Sequence, residues 1–108
     1  MAIFELKKSG SGEFHFNFVD GSDKTILRSE QYGSKASAQN GIESVRNNAG
    51  NDARYELKTG ASGKLYFNLK AANGQIIGTS MMYADEAGRE AAIAGLKSSA
   101  AQASVVEG

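Results

Sequence analysis

His15 is the only histidine in the chain, and there is no cysteine. One imidazole cannot make a multi-histidine metal site, and a Ser-His-acid triad would have to use it as the base. No serine near it has nucleophile-elbow spacing. Without thiols, disulfides, thiolate zinc sites and cysteine nucleophiles are excluded. His15 alternates with Phe14 and Phe16, which makes it an exposed strand residue facing away from a core. Glu5 and Glu56 stand two residues before Lys7 and Lys58, a pattern of charge pairing across neighbouring strands rather than of an acid/base couple. The glycine runs at Gly10, Gly12, Gly60 and Gly63 lead from strand to strand, whereas a phosphate cradle leads from a strand into a helix N-terminus. No catalytic residue, cofactor site or metal site is expected.

The elements that carry these residues come in two sets. A constant offset of 51 residues aligns the halves of the chain without a gap: Glu5 with Glu56, Leu6 with Leu57, Gly12 with Gly63, Phe16 with Phe67, Asn17 with Asn68, Ser29 with Ser80, Tyr32 with Tyr83, Ile42 with Ile93. The chain is therefore a tandem duplication, with repeats at 4–46 and 55–97 and a linker at 47–54. Within each repeat the apolar period is first two, in FHFNFV and LYFNLK, and then near 3.6, in Ala38, Ile42, Val45 and Ala49 and in Ile93, Leu96 and Ala100. Ser34 and Asp85 precede the helical segments as N-caps. Asn73-Gly74 predicts a two-residue type I′ hairpin, and Ser22-Asp23 a looser turn. Neither short helix can cover its own sheet face. The expected fold is α+β: a duplicated β-β-β-α unit forming one six-stranded, mostly antiparallel sheet with two helices on one face. Residues 1–97 make the single domain, and residues 98–108, rich in Ala and Ser, are expected to fray.

The stretch GKLYFNLKAANGQIIGTSMMY, together with FELKKS, YELKT and IESVRNN, resembles the YegP-like family of small bacterial proteins, a domain of unknown function. The likeness spans about residues 3–97. It implies tandem β3α repeats in a single sheet with each helix exchanged onto the partner repeat, and it carries no activity and no catalytic residues. Met81 and Met82 depart from the family's pattern, where a more polar pair is expected.

Twelve basic residues balance twelve acidic ones, six against six within residues 1–51, so bulk charge names no partner and does not favour nucleic acid or anionic lipid. The start, MAIFELKKSG, lacks the apolar core of a secretory signal, and no later run is long enough to span a bilayer; the expectation is a cytoplasmic protein. What remains is the sheet face turned away from the helices. If Asn73 and Gly74 are the central turn residues, Lys70 lies opposite Ile77, Asn68 opposite Thr79 and Tyr66 opposite Met81. The candidate binding face is then His15, Asn17, Arg28, Lys58, Tyr66, Asn68, Lys70 and Ile77, on which Tyr66 and His15 join the apolar Val19, Ile26, Ile77 and Met81 inside an edge of cations. The favoured reading is a non-enzymatic interaction module binding a protein or another copy of itself. Single-stranded nucleic acid, with Tyr66 and His15 stacking bases and Arg28, Lys58 and Lys70 meeting phosphates, is the alternative. Residues 1–51 expressed alone should dimerise or fail to fold; a stable monomeric repeat in sedimentation equilibrium would contradict the shared core.

Overall fold

Alternating apolar residues in FHFNFV and LYFNLK leave one face of each segment greasy, and burying that face lays both down as inner strands of a sheet. The computed structural model describes residues 2–107. The chain runs β1 (Ile3–Lys8), β2 (Phe14–Val19), β3 (Thr25–Ser29), α1 (Lys35–Asn48), β4 (Tyr55–Thr59), β5 (Leu65–Lys70), β6 (Ile76–Ser80), α2 (Glu86–Ser99) and β7 (Ser104–Glu107). All seven strands form one sheet in the order β4-β5-β6-β3-β2-β1-β7. Every neighbouring pair is antiparallel except β1 with β7, which is parallel.

The repeats meet at β3 and β6, where Arg28 faces Thr79, Leu27 faces Ser80 and Ser29 faces Gly78. Arg28 and Thr79 are the same position under the 51-residue offset, so the local two-fold axis of the duplication passes through that pair. On the helix side of the seam lies one core, in which Phe4, Phe16, Phe18, Leu27, Phe67 and Leu69 pack against Ile42, Val45, Ile93 and Leu96. Phe4 meets Phe16 and Phe18 edge-on, with centroids 5.9 and 5.2 Å apart, and each buried side chain of this size contributes about 1.5–3 kcal/mol. Ser34 and Asp85 cap the helices as their residue types require, accepting from the amides of Ser37 and Gly88 at 3.1 and 2.8 Å. Each helix leaves the central seam and delivers the chain to an outer strand of the other half of the sheet. The helices therefore straddle the repeats instead of being exchanged outright: α1 lies against β1 and β2 and also reaches β5 and β6.

Three local expectations are corrected. The Asn73-Gly74 turn is not type I′, because Gly74 has positive φ (87°) and Asn73 does not. Instead the Gly74 amide donates to the Ala71 carbonyl at 3.0 Å and the Ala71 amide to the Gln75 carbonyl at 2.9 Å, a longer loop whose glycine takes the left-handed position. The register then shifts between Leu69 and Lys70, so Lys70 faces Ile76 and Ile77 is the extra residue of a bulge. The Ser22-Asp23 turn is no looser. It repeats the same bonds, Asp23 to Asp20 at 3.1 Å and Asp20 to Lys24 at 2.9 Å, with Asp23 at φ 62° in the glycine's place. The Asp20 carboxylate braces it by accepting from the Ser22 and Lys24 amides.

The expected fraying of residues 98–108 is also overturned. Ser98 and Ser99 finish α2, Ala100 and Ala103 are buried, and β7 pairs with β1, which raises the strand count from six to seven; Gly108 lies outside the described residues. Small side chains fit the narrow space beside α1, and the edge of β1 satisfies the backbone of the segment.

Gly78 occupies the counterpart of Leu27 at the seam, and a Cβ there would stand 2.7 Å from the Arg28 carbonyl oxygen and 3.0 Å from the Leu27 side chain. Gly78→Ala should destabilise the fold by about 1–3 kcal/mol, lowering Tm by about 4–8 °C for each kcal/mol; a Tm unchanged in calorimetry would contradict the tight seam.

Candidate binding face

The pleat that sends Phe16, Phe18, Phe67 and Leu69 inward sends Asn17 and Asn68 to the opposite face, and the strand registers align these residues into one row across the sheet. From edge to edge it reads Glu56, Asn68, Thr79, Arg28, Asn17, Glu5, Val106. In the second repeat the row is closed by hydrogen bonds. Thr79 Oγ1 donates to Asn68 Oδ1 at 2.7 Å, Asn68 Nδ2 donates to Glu56 Oε1 at 2.9 Å, and Lys70 Nζ donates to Glu56 Oε2 at 2.9 Å. The Asn68 amide, followed by the Lys70 ammonium, holds the Glu56 carboxyl below the ordinary carboxylate range.

The first repeat keeps Glu5 and Asn17 but replaces Thr79 by Arg28 and Lys70 by Val19. There the ladder stays open: Asn17 Oδ1 and His15 Nδ1 are buried with no hydrogen-bond partner, and Arg28 beside Asn17 is exposed.

Seven of the eight residues expected on this face are found there. Glu56, Asn68, Lys70 and Thr79 form one bonded cluster, Arg28 and Asn17 are cross-strand neighbours, and Lys58 faces Tyr66. His15 and Tyr66, related by the local two-fold, fall on opposite sides of the central row, so they are not brought together. Ile77 is the exception. The bulge turns it to the helix side, where it is 4% exposed within the core and lines a cleft beside α1 with Tyr32 and Gly41. Ile26 does the same next to α2 and Tyr83. Ile76 takes the place on the open face, at 40% exposure.

Residue types alone did not reveal the work of Ser29 and Ser80. Each accepts a strand amide, Phe16 at 2.8 Å and Phe67 at 2.9 Å, and donates to the carbonyl of the next residue, Glu30 or Met81, at 2.8 Å. The signal was their recurrence in both copies. Tyr32 and Tyr83 pair through the backbone with Phe14 and Leu65, and burial, then the nearby charges of Glu30 and Asp20, raises both phenols above their usual range. Among the described residues no group of His, Cys, Asp or Glu is placed to hold a metal ion, and no helix is long and apolar enough to cross a membrane.

Comparison with known proteins agrees with this double architecture. The model of the domain of unknown function DUF1508 matches the chain twice, over residues 9–56 and 61–107. The chain belongs to this family. It is 55% identical over 94 residues to the UPF0339 protein YegP of Escherichia coli K12, covering 87% of this chain and 86% of that one. A UPF0339 protein from the ptx operon 5′ region of Stutzerimonas stutzeri is 46% identical over 104 residues, 96% of this chain and 94% of that one. The solution NMR structure of E. coli YegP, a protein of unknown function, superposes with a TM-score of 0.92 at 50% identity, over 98% of this chain and 91% of that one. That of a UPF0339 protein from Shewanella oneidensis gives 0.92 at 42% identity, over 98% and 90%. No DUF1508 relative named here has an assigned function.

The closed half of the row makes a pH prediction. Because the folded pKa of Glu56 is depressed, its contribution to stability is present above the unfolded value near 4.3 and is lost as pH falls through the folded value. Glu56→Gln should flatten that part of the stability-against-pH curve measured by urea unfolding between about pH 5 and pH 2; an unchanged acid slope would contradict the ladder.

Proposed function

We propose that the protein is a non-enzymatic binding module of the cytoplasm whose helix-free sheet face, centred on Arg28, takes a partner protein. The observation that supports this reading is the unequal state of the central row. In that row the second repeat bonds Thr79, Asn68 and Glu56 to one another, whereas Asn17 Oδ1, and His15 Nδ1 beside the row, are buried and unpaired in the first. Leaving such a group without a partner costs about 1–3 kcal/mol, and because these atoms are covered in the free chain, a bound chain recovers that cost by shifting neighbouring side chains such as the exposed Arg28. Arg28 beside it offers a planar fork for a carboxylate or a backbone carbonyl. Tyr66 and Ile76 add the aromatic and aliphatic area in which protein interfaces are rich.

Catalysis finds less support. A cleft of about 730 Å³ between α1 and the β5–β6 turn is lined by Glu30, Tyr32, Asn40 and Gln75 among others. Its phenol is held protonated by burial and then by the negative charge of Glu30, the one carboxylate among those lining residues, so the pair does not favour an activated hydroxyl. A base-stacking platform for nucleic acid needs aromatic side chains within reach of successive bases, and His15 and Tyr66 stand on opposite sides of the row.

The test is in-cell photo-crosslinking from a benzoylphenylalanine placed at Tyr66 and, as a control, at exposed Ala94 on α2. A discrete protein adduct from Tyr66 alone, abolished by Arg28→Glu, is expected. An amide NMR titration with a mixed-sequence single-stranded oligonucleotide should leave the spectrum unchanged. Shifts at His15, Asn17, Arg28, Tyr66, Asn68 and Lys70 that fade with salt would replace the protein partner by nucleic acid.

A further inference from the structure

The duplication builds the same groove twice, and the chain fills one of them with its own C-terminal segment. Between β1 and α1 lie residues Ala100–Glu107. Ala100 and Ala103 are 0% and 4% exposed, and β7 runs parallel to β1 with Val105 opposite Phe4 and Glu107 opposite Leu6. Arg46 Nη2 donates to the Ala103 carbonyl at 2.6 Å, and Lys35 pairs with the Glu107 carboxylate.

Under the 51-residue offset the walls of this groove become those of a second one between β4 and α2. Phe4 becomes Tyr55, Leu6 becomes Leu57, Ile42 becomes Ile93, Arg46 becomes Lys97 and Lys35 becomes Glu86. One segment cannot fill both. Among the described residues β4 ends the sheet with no strand on its outer side, although Arg89 Nη1 from α2 donates to its Lys58 carbonyl at 3.3 Å; Leu57 is 52% exposed where Leu6 is 3%, and a groove of about 330 Å³ opens between Tyr55, Leu57, Glu90, Ile93, Asp52 and Lys97. Folded proteins normally blunt such an edge, because its unpaired backbone groups are a template for another strand.

We propose that this second groove docks an extended segment of a partner protein, which adds to β4 as a parallel strand through two consecutive β-branched residues followed by a basic one. The strand geometry follows from β7 on β1, and recognition by strand addition is an established mode of peptide binding. The basic residue follows from charge. Where Lys35 and Gln39 flank the filled groove and Lys35 receives Glu107, Glu86 and Glu90 flank the open one. Lys97, whose ammonium pairs with Asp52, stands where Arg46 holds the Ala103 carbonyl. An acidic tail like that of the chain itself meets the wrong charge here, which also argues against a second copy as the occupant.

The probes are two end-blocked synthetic peptides of residues 100–107, one native and one carrying Glu107→Lys, titrated into the full-length protein and followed by amide NMR. The Glu107→Lys peptide should shift Tyr55–Thr59 and the first turns of α2, with an affinity about two- to five-fold above that of the native peptide, the range of one exposed ion pair. Glu86→Lys in the protein should reverse that order, and Leu57→Lys should abolish both responses without unfolding the chain, since Leu57 is exposed. No shift at β4 with millimolar peptide, equal affinities that Glu86→Lys leaves unaltered, or shifts confined to Ile3–Leu6 and α1 would overturn the proposal. The helix-free face reports separately through Arg28 and Asn17, so failure at one site is not failure at the other.

Discussion

Pairing of β3 with β6 joins the two repeats, and the remaining architecture depends on it. Each β-β-β-α unit ends its sheet at the third strand, with backbone groups unsatisfied along that edge and an apolar face wider than its helix. Antiparallel pairing about the Arg28–Thr79 pair satisfies both edges at once and merges the two faces under two straddling helices. A symmetric pair of separate chains would place the same residue on both sides of such an axis. Fusion removes that restriction, and the seam uses the freedom: Leu27 fills the space from one side, and Gly78, its counterpart, gives way on the other. Arg28 likewise meets threonine, where an exact copy would set one guanidinium against another.

The duplication, the strand order within each repeat and the helix caps could be read from residue types and spacing, because each reflects a local rule acting twice. The errors occur where geometry depends on neighbours. An Asn-Gly pair satisfies a type I′ turn and equally a longer loop closed by a left-handed glycine, and only the latter produces the bulge that carries Ile77 into the core. Alternation is blind to a bulge, so its parity held for Asn68 and Thr79 and failed immediately beyond them. The order of the C-terminal segment is hidden from composition for a related reason. Its alanines and serines have little apolar area of their own, and order comes from the β1 edge and the narrow space beside α1, which exist only once the first repeat has folded.

Divergence between the copies separates scaffold from surface. Identical positions maintain the fold: Ser29 and Ser80 bond strand amides, Gly12 and Gly63 take positive φ of 86° and 85° in the first turns, and Tyr32 and Tyr83 bridge to the second strands. Positions that changed on the open face and around the grooves, such as Arg28 with Thr79 and Lys35 with Glu86, leave the backbone plan intact. The change from Thr79 to Arg28 at the axis opens the polar ladder on one side only. The changes from Lys35 to Glu86 and from Gln39 to Glu90 make the rim of the open groove more acidic than that of the filled one. A twofold scaffold with unlike surfaces can distinguish two partners, or two segments of one partner, while both halves retain the same core. Selectivity in this protein therefore draws on the residues that differ at the surface of the two repeats, acting on shared positions such as Leu57 that the second copy leaves exposed.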